Sequence, residues 1–190
     1  FFLAAAGPAA WRRTPHKKGL TANPALFFQL SALTMTIVAT IEARMTSQRL
    51  PGKVLLPAAG KSMLEHLVDR LKVVSSIEEI ILATTINNTD DVLVELAESL
   101  SIHSFRGDEN DVMNRVIGAA ESLDASIVVE ITGDCPIIDP SIVEQTIQMF
   151  HANHADYVSN AYVRSYPDGM DTQVFRLAAL KESASMTSDP

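Results

Sequence analysis

Residues 36–57 read TIVATIEARMTSQRLPGKVLLP, and the architecture of the chain follows from how that stretch divides. Thr36 to Ile41 is an apolar, β-branched run, the pattern of a buried strand. It passes into a polar loop that carries Arg44, Arg49 and Lys53. Pro51 and Gly52 turn the chain, and a second apolar run, Val54 to Leu56, follows. A strand that ends in a loop of Arg, Ser and Gly is a common phosphate cradle. Guanidinium forks and hydroxyls take phosphate oxygens there, and backbone N–H groups approach closely. A solvated loop whose cations only keep it soluble would look the same, so on spacing alone both readings stand.

Beyond that loop, strand and helix patterns alternate. Ser62-Met63-Leu64-Glu65 is a capping box, and it opens a helix with Met63, Leu64, Leu67, Val68, Leu71 and Val74 at helical spacing. Residues 78–84, EEIILAT, predict a strand, then INNTDD a loop, then a helix over about 90–100. Ile102 to Phe105 predicts a short strand, and Arg106-Gly107-Asp108 turns into a helix over about 110–122. Ser126 to Ile131 predicts another buried strand ending at Thr132-Gly133-Asp134. Asp139-Pro140 starts the next helix with an N-cap and a proline in its first turn. Asp156 to Asn160 and Thr172 to Phe175 predict further strands. Such alternation implies a mostly parallel sheet covered on both faces, with ligands beyond the carboxyl ends of its strands. The polar motifs fall there: 43–53, 84–88, 106–111 and 132–139 each follow a strand.

Composition narrows the classes. The net charge of −8 argues against a general nucleic-acid binder but leaves room for a local basic pocket at 44–53. A single cysteine, Cys135, excludes an internal disulfide framework and fits a reducing, cytoplasmic setting. No uninterrupted apolar run reaches membrane-spanning length. Residues 1–34 stand apart. They carry Arg12, Arg13, Lys17 and Lys18 with no acid, lack clean periodicity, and precede Met35 just before the first strand. They fit a transit-type leader or, as the favoured reading, upstream sequence ahead of a start at Met35. Residues 35–190 are expected to form one domain.

Several positions can carry chemistry. Asp134, alone at a strand end, is placed either to hold Mg²⁺ or to cap its turn, and residue type leaves the two equal. Thr84, Thr85 and Asn87 could read a base or form an ordinary Asx turn. Arg106 could face a nucleotide, and Arg115 could pair with Asp111 at i, i+4. Asp168-Gly169 reads as a turn, and Asp171 enters a strand where Asp is disfavoured.

The stretch Ala43-Arg44-Met45-Thr46-Ser47-Gln48-Arg49-Leu50-Pro51-Gly52-Lys53 resembles the N-terminal signature of sugar cytidylyltransferases, A-R-x-G-S-x-R-L-P-G-K. Position 46 departs, with Thr where the family has Gly. Thr46 is expected to crowd a backbone that needs φ > 0 near the triphosphate. ITGDCPIIDP is similar to the family's G-D-x-P-L-I-D-P, FRG with Asp111-Val112 and Arg115 to F-R-G-x-x-x-D-V-x-x-R, and YPDGMD to Y-P-D-G-L-D. Asn160 matches the last residue of Y-V-S-N. The resemblance covers roughly 36–190 and is strongest to the spore-coat polysaccharide type; sialic-acid and Kdo enzymes are more distant.

This resemblance implies a three-layer α/β/α nucleotide-diphospho-sugar transferase-like, Rossmann-like domain. It implies transfer of CMP from CTP to a sugar or sugar acid, with release of pyrophosphate. It assigns Ala43, Arg44, Ser47, Arg49, Lys53, Thr84, Thr85, Asn87 and Arg106 to the nucleotide, and Asn160, Asp168 and Asp171 to the acceptor. Asp134 and Asp171 would hold Mg²⁺, and Arg44, Lys53 and Asp134 would carry catalysis. The implied partners are CTP and the acceptor, with a homodimer as the candidate assembly, and neither nucleic acid nor membrane. A transferase using another NTP and a non-catalytic nucleotide-sugar binding subunit are the alternatives. The family's late V-D-T-x-E-D-L-like motif does not occur in this sequence, so a C-terminally shortened domain with weak activity is expected.

Overall fold

The computed structural model describes residues 35–187. The readings of 1–34 and of the final Ser188-Asp189-Pro190 lie outside the described residues. β1 (Ile37–Glu42) is followed by a 3₁₀ turn at Lys53–Leu55, by β2 (Pro57–Ala58) and β3 (Lys61–Ser62), and by helix α1 (Met63–Leu71). Then come β4 (Glu79–Thr85), α2 (Asp91–Ser99), β5 (His103–Gly107), α3 (Val112–Glu121), β6 (Ile127–Thr132) and α4 (Pro140–Ala152). β7 (Tyr157–Ser159), β8 (Gln173–Arg176) and α5 (Leu177–Met186) close the described chain.

One six-stranded sheet has the order β5-β4-β1-β6-β8-β7. β1 lies parallel to β4 (Thr40 opposite Ile81) and to β6 (Thr40 opposite Glu130), and β5 runs parallel to β4. The carboxyl ends of these four strands therefore share one edge. β8 returns antiparallel to β6, and β7 pairs antiparallel with β8. The strands read as continuous apolar runs because both faces are covered. Ile37, Ala39 and Ile41 pack with Leu67, Leu71, Leu93, Ile147 and Phe150 under α1, α2 and α4. Val38, Ile81, Ala83 and Val128 pack with Val116, Ala120 and Leu177 under α3 and α5. The layers are helices, sheet, helices, as the alternation predicted.

The helix starts follow their local signals. The Ser62 side chain accepts from Glu65 N, and the Glu65 carboxylate accepts from Ser62 N. Asp139 Oδ1 accepts from Ser141 N at 2.8 Å ahead of Pro140. One feature escaped the pattern. β2 and β3 form a small hairpin whose two central residues, Ala59 and Gly60, both have positive φ (47° and 84°). Twisted two-residue hairpins favour that conformation, and an Ala there gives no Asn-Gly-like cue in the sequence.

Candidate active site

The cationic loop after β1 is closed by its own backbone. Lys53 N donates to Leu50 O at 3.3 Å across Pro51-Gly52, and Gly52 N donates to Met45 O at 2.9 Å. Gly52 takes φ 68°, the left-handed conformation that a Pro-Gly turn of this kind requires. Asp90 then fastens the loop to the next strand end. Its Oδ1 accepts from Met45 N at 2.8 Å. Its Oδ2 accepts from the Thr84 hydroxyl (3.0 Å), Thr85 N (3.2 Å) and the Thr85 hydroxyl (2.6 Å). Asp90 is fully buried. Burial pushes its carboxyl up, but hydrogen bonds from Thr85, Met45 and Thr84 outweigh it and hold the group below its ordinary range.

The opposite wall comes from β6. Gly133 N donates to Glu42 O at 2.9 Å, and a Cβ on Gly133 would lie 2.8 Å from that oxygen. Only glycine lets the two strand ends come this close. The approach sets Asp134 against the loop, where it forms an ion pair with Lys53. That hydrogen bond from Lys53 is the main force holding the Asp134 carboxyl below its ordinary range. Between these walls lies a cavity of about 670 Å³. Arg44, Arg49 and Lys53 line it from the loop, Gly133 and Asp134 from β6, and Glu42, Glu130 and Arg115 from below. Ala43 and Ser47 also line it.

Other expected site residues sit elsewhere. Thr84 and Thr85 are fully buried with their hydroxyls on Asp90, so of the side-chain and backbone contacts expected toward a base the hydroxyls are engaged within the fold. The Arg106 guanidinium binds Thr85 O at 2.8 Å, Asn87 O at 2.7 Å and Asp91 Oδ1 at 2.6 Å, so it clamps the 85–91 loop and does not line the cavity. Asn87 donates to Glu109 Oε2 at 2.7 Å. The Asn160 amide bridges Met170 O and Thr172 N, each at 2.8 Å, which ties the returning strands together and occupies the side chain expected at the acceptor. Asp168 is exposed and paired with Arg164. Asp171 is partly buried, and its negative charge helps raise the Cys135 thiol, whose main perturbation is burial.

Arg115 does not pair with Asp111. It is 4% exposed and donates to Asp108 O at 2.6 Å and Glu109 O at 3.3 Å. Asp111 instead caps α3 by accepting from Asn114 N at 3.0 Å. Thr46 is not among the residues with positive φ, so its β-branch meets no left-handed strain. Its hydroxyl donates to Glu109, which also accepts from Arg44 at 3.1 Å and Asn87. Glu109 thus joins three loops, a role with no sequence signal because its partners are 22 to 65 residues away. Asp90 was legible only as part of the INNTDD loop, and the sequence reading did not single out Glu42 or Glu130.

The family model for cytidylyltransferases matches residues 38–185, which takes in the strands, the cationic loop and the Asp134 turn just described. The chain belongs to the cytidylyltransferase family. A spore coat polysaccharide biosynthesis protein, SpsF of Bacillus subtilis, is 32% identical over 142 residues, covering 73% of this chain and 58% of that protein. An uncharacterized protein of Methanocaldococcus jannaschii is 36% identical over 149 residues, covering 78% and 60%. The chain thus spans about three fifths of the length of these curated relatives. The structure of a cytidylyltransferase from Leptospira borgpetersenii superposes with a TM-score of 0.78 at 35% identity, covering 80% of this chain and 65% of that one. A CMP:2-keto-3-deoxy-manno-octonic acid synthetase complexed with CTP shares the fold at a TM-score of 0.65 and 20% identity, covering 80% and 79%. The cytidylyltransferase fold here is a nucleotide-diphospho-sugar transferase sheet with its cavity at the carboxyl edge.

Proposed function

We propose that this chain transfers CMP from CTP to a sugar or sugar-acid acceptor with release of pyrophosphate, in the synthesis of a polysaccharide precursor. The observation that carries this is the convergence of Arg44, Arg49 and Lys53 with Asp134 on one cavity, where Lys53 pairs with Asp134. Phosphoryl transfer of this kind is mainly positioning and charge neutralisation. Arg44, Arg49 and Lys53 take the triphosphate and balance the charge of the departing pyrophosphate. Lys53 leaves its ion pair with Asp134 to do so, which frees the carboxylate.

Among the described residues no cluster of three or more His, Cys, Asp or Glu side chains could hold a metal ion. The donors still suit Mg²⁺, which takes one or two carboxylates together with substrate phosphates. Asp134 is ionised and faces the cavity, and Asp171 lies close enough for its charge to act on Cys135 beside Asp134. When bound, the cation supplies charge neutralisation at the reacting phosphate.

The test is pyrophosphate release from CTP, UTP, ATP and GTP with Mg²⁺ against a panel of sugar phosphates and sugar acids. CTP-dependent release supports the proposal. Equal release from UTP would move it to another nucleotide, and no release would leave only binding. Arg49 is exposed and forms no ion pair among the described residues, so Arg49→Ala should leave Tm unchanged within about 1 °C. Loss of one charge-assisted hydrogen bond, about 1.5–3 kcal/mol, should weaken CTP binding roughly 10- to 100-fold. Equal calorimetric affinity for parent and variant would remove Arg49 from the triphosphate site.

A further inference from the structure

We propose that the Glu42–Glu130 carboxyl pair on the floor of the cavity accepts the proton of the attacking acceptor hydroxyl, an assignment that rests on the cytidylyl-transfer reading above. A partly buried carboxylate near the carboxyl end of a central strand is costly and has poor strand propensity. Two of them occur here side by side. Thr40 stands opposite Glu130 and Glu42 opposite Thr132, so Glu42 and Glu130 project from the same face, one diagonal step apart. Both line the same cavity, and each carboxyl acts on the ionisation of the other. The Thr40 hydroxyl reaches Glu42 Oε1 at 3.4 Å.

Among the described residues no cation neutralises the pair in a direct bridge. Arg115 comes from α3 and its charge acts on Glu42, but its guanidinium hydrogen bonds go to the carbonyls of Asp108 and Glu109. Its Nε–H is buried without a partner. A purely structural ion pair would satisfy that donor. Both glutamates line the same cavity as Arg44, Lys53 and Asp134. Asp134, the other carboxylate lining it, is assigned above to the divalent cation once Lys53 leaves it. The glutamate pair is therefore the carboxyl group lining the cavity that the transfer reading leaves without a cation.

The charged groups around it are Arg115 from α3, Arg44 from the loop after β1, Asp90 and Asp108 beyond Arg115, and Lys53 with Asp134 across the cavity. Burial, then the negative charge of Glu130, pushes Glu42 well above the ordinary carboxylate range, and burial raises Glu130. A carboxylate shifted upward is a stronger base than one in water, the property a proton acceptor needs. The second carboxyl, one diagonal step away on the same face, favours the protonated form of the first through its negative charge.

The step balances. The acceptor oxygen forms a bond to the α-phosphorus as the bond from that phosphorus to the bridging β-phosphate oxygen breaks. The electron pair leaves with pyrophosphate, and the hydroxyl proton passes to the pair, which returns it to solvent after product release.

The experiment is the pH dependence of pyrophosphate release for the full chain and for Glu42→Gln and Glu130→Gln, with CTP affinity and Tm measured alongside. The parent should show kcat rising with pH through the ionisation of the pair. Each Gln variant should lose that limb and about 10²-fold or more in kcat, with CTP affinity unchanged. Glu130→Asp, which keeps a carboxylate, should retain the limb with a smaller loss, and it carries the test if a Gln variant fails to fold. Gln and Asp variants that all keep the parent's limb and rate would overturn the assignment while leaving the transfer reading intact. A parent chain that releases no pyrophosphate with any acceptor would overturn both.

Discussion

Asp134→Asn should reduce kcat for pyrophosphate release by about 10²–10³-fold while CTP still binds. The substitution keeps the shape of the side chain and removes its charge. Two things are lost together. The ion pair with Lys53 goes, and so does the hard anionic oxygen that suits a divalent cation beside phosphate. In the proposed reading nucleotide binding rests chiefly on Arg44, Arg49 and Lys53, which the change leaves in place, and Lys53 without its partner is freer to meet phosphate. Stopped-flow or coupled pyrophosphate assays at saturating CTP, with a calorimetric Kd alongside, separate the two effects. A variant that turns over at the parent's rate would reduce Asp134 to a turn cap. A variant that loses CTP binding and kcat together would make Lys53–Asp134 a folding contact.

Asp90→Ala should destabilise the domain by about 3–4 kcal/mol, because three buried donors and the part-buried Met45 N lose their acceptor at once and each unsatisfied buried group costs about 1–3 kcal/mol before relaxation. For a domain of this size that lowers Tm by roughly 10 °C. The donors are Met45 N, the Thr84 hydroxyl, Thr85 N and the Thr85 hydroxyl. Met45 N is the informative one, since its release frees the loop that carries Arg44 and Arg49. CTP affinity should therefore fall along with Tm, although Asp90 does not line the cavity. The same contact has a pH signature. The folded carboxyl ionises below its unfolded value of about 3.9, so its contribution is fully present above that value and is lost as pH falls through the folded one. The parent should lose stability below about pH 4 more steeply than Asp90→Ala. A Tm change under about 3 °C, or parallel acid-denaturation curves, would show that the loop is fastened by other means.

How much of this was legible in sequence depends on how far apart the partners are. The capping box at Ser62-Glu65, the Asp139-Pro140 start and the Pro51-Gly52 turn are signals within a few residues, and each appears where its pattern placed it, whereas β5 runs on to Gly107 through residues read as a turn. The cationic loop and Asp134 were legible as motifs, and they line one cavity. Thr84, Thr85, Arg106 and Asn160 matched family motifs too, yet their polar atoms are spent on Asp90, on the 85–91 loop and on Met170 and Thr172. A motif records which residues recur near a site, and it does not say which atoms face the ligand.

The alternation of buried strands and amphipathic helices determined the layered parallel sheet, because hydrophobic periodicity is set residue by residue along the chain. It also determined that four polar loops would meet at one edge, since parallel strands all end on the same side. What only the tertiary structure decided are the contacts between those loops. Lys53 meets Asp134 across 81 residues and Arg44 meets Glu109 across 65. Glu42 meets Glu130 because β1 and β6 are neighbours in this register. A shift of one residue in that register would turn one carboxyl to the opposite face and dissolve the pair. Strand order and register come from the packing of the whole core, so no local window of sequence contains them.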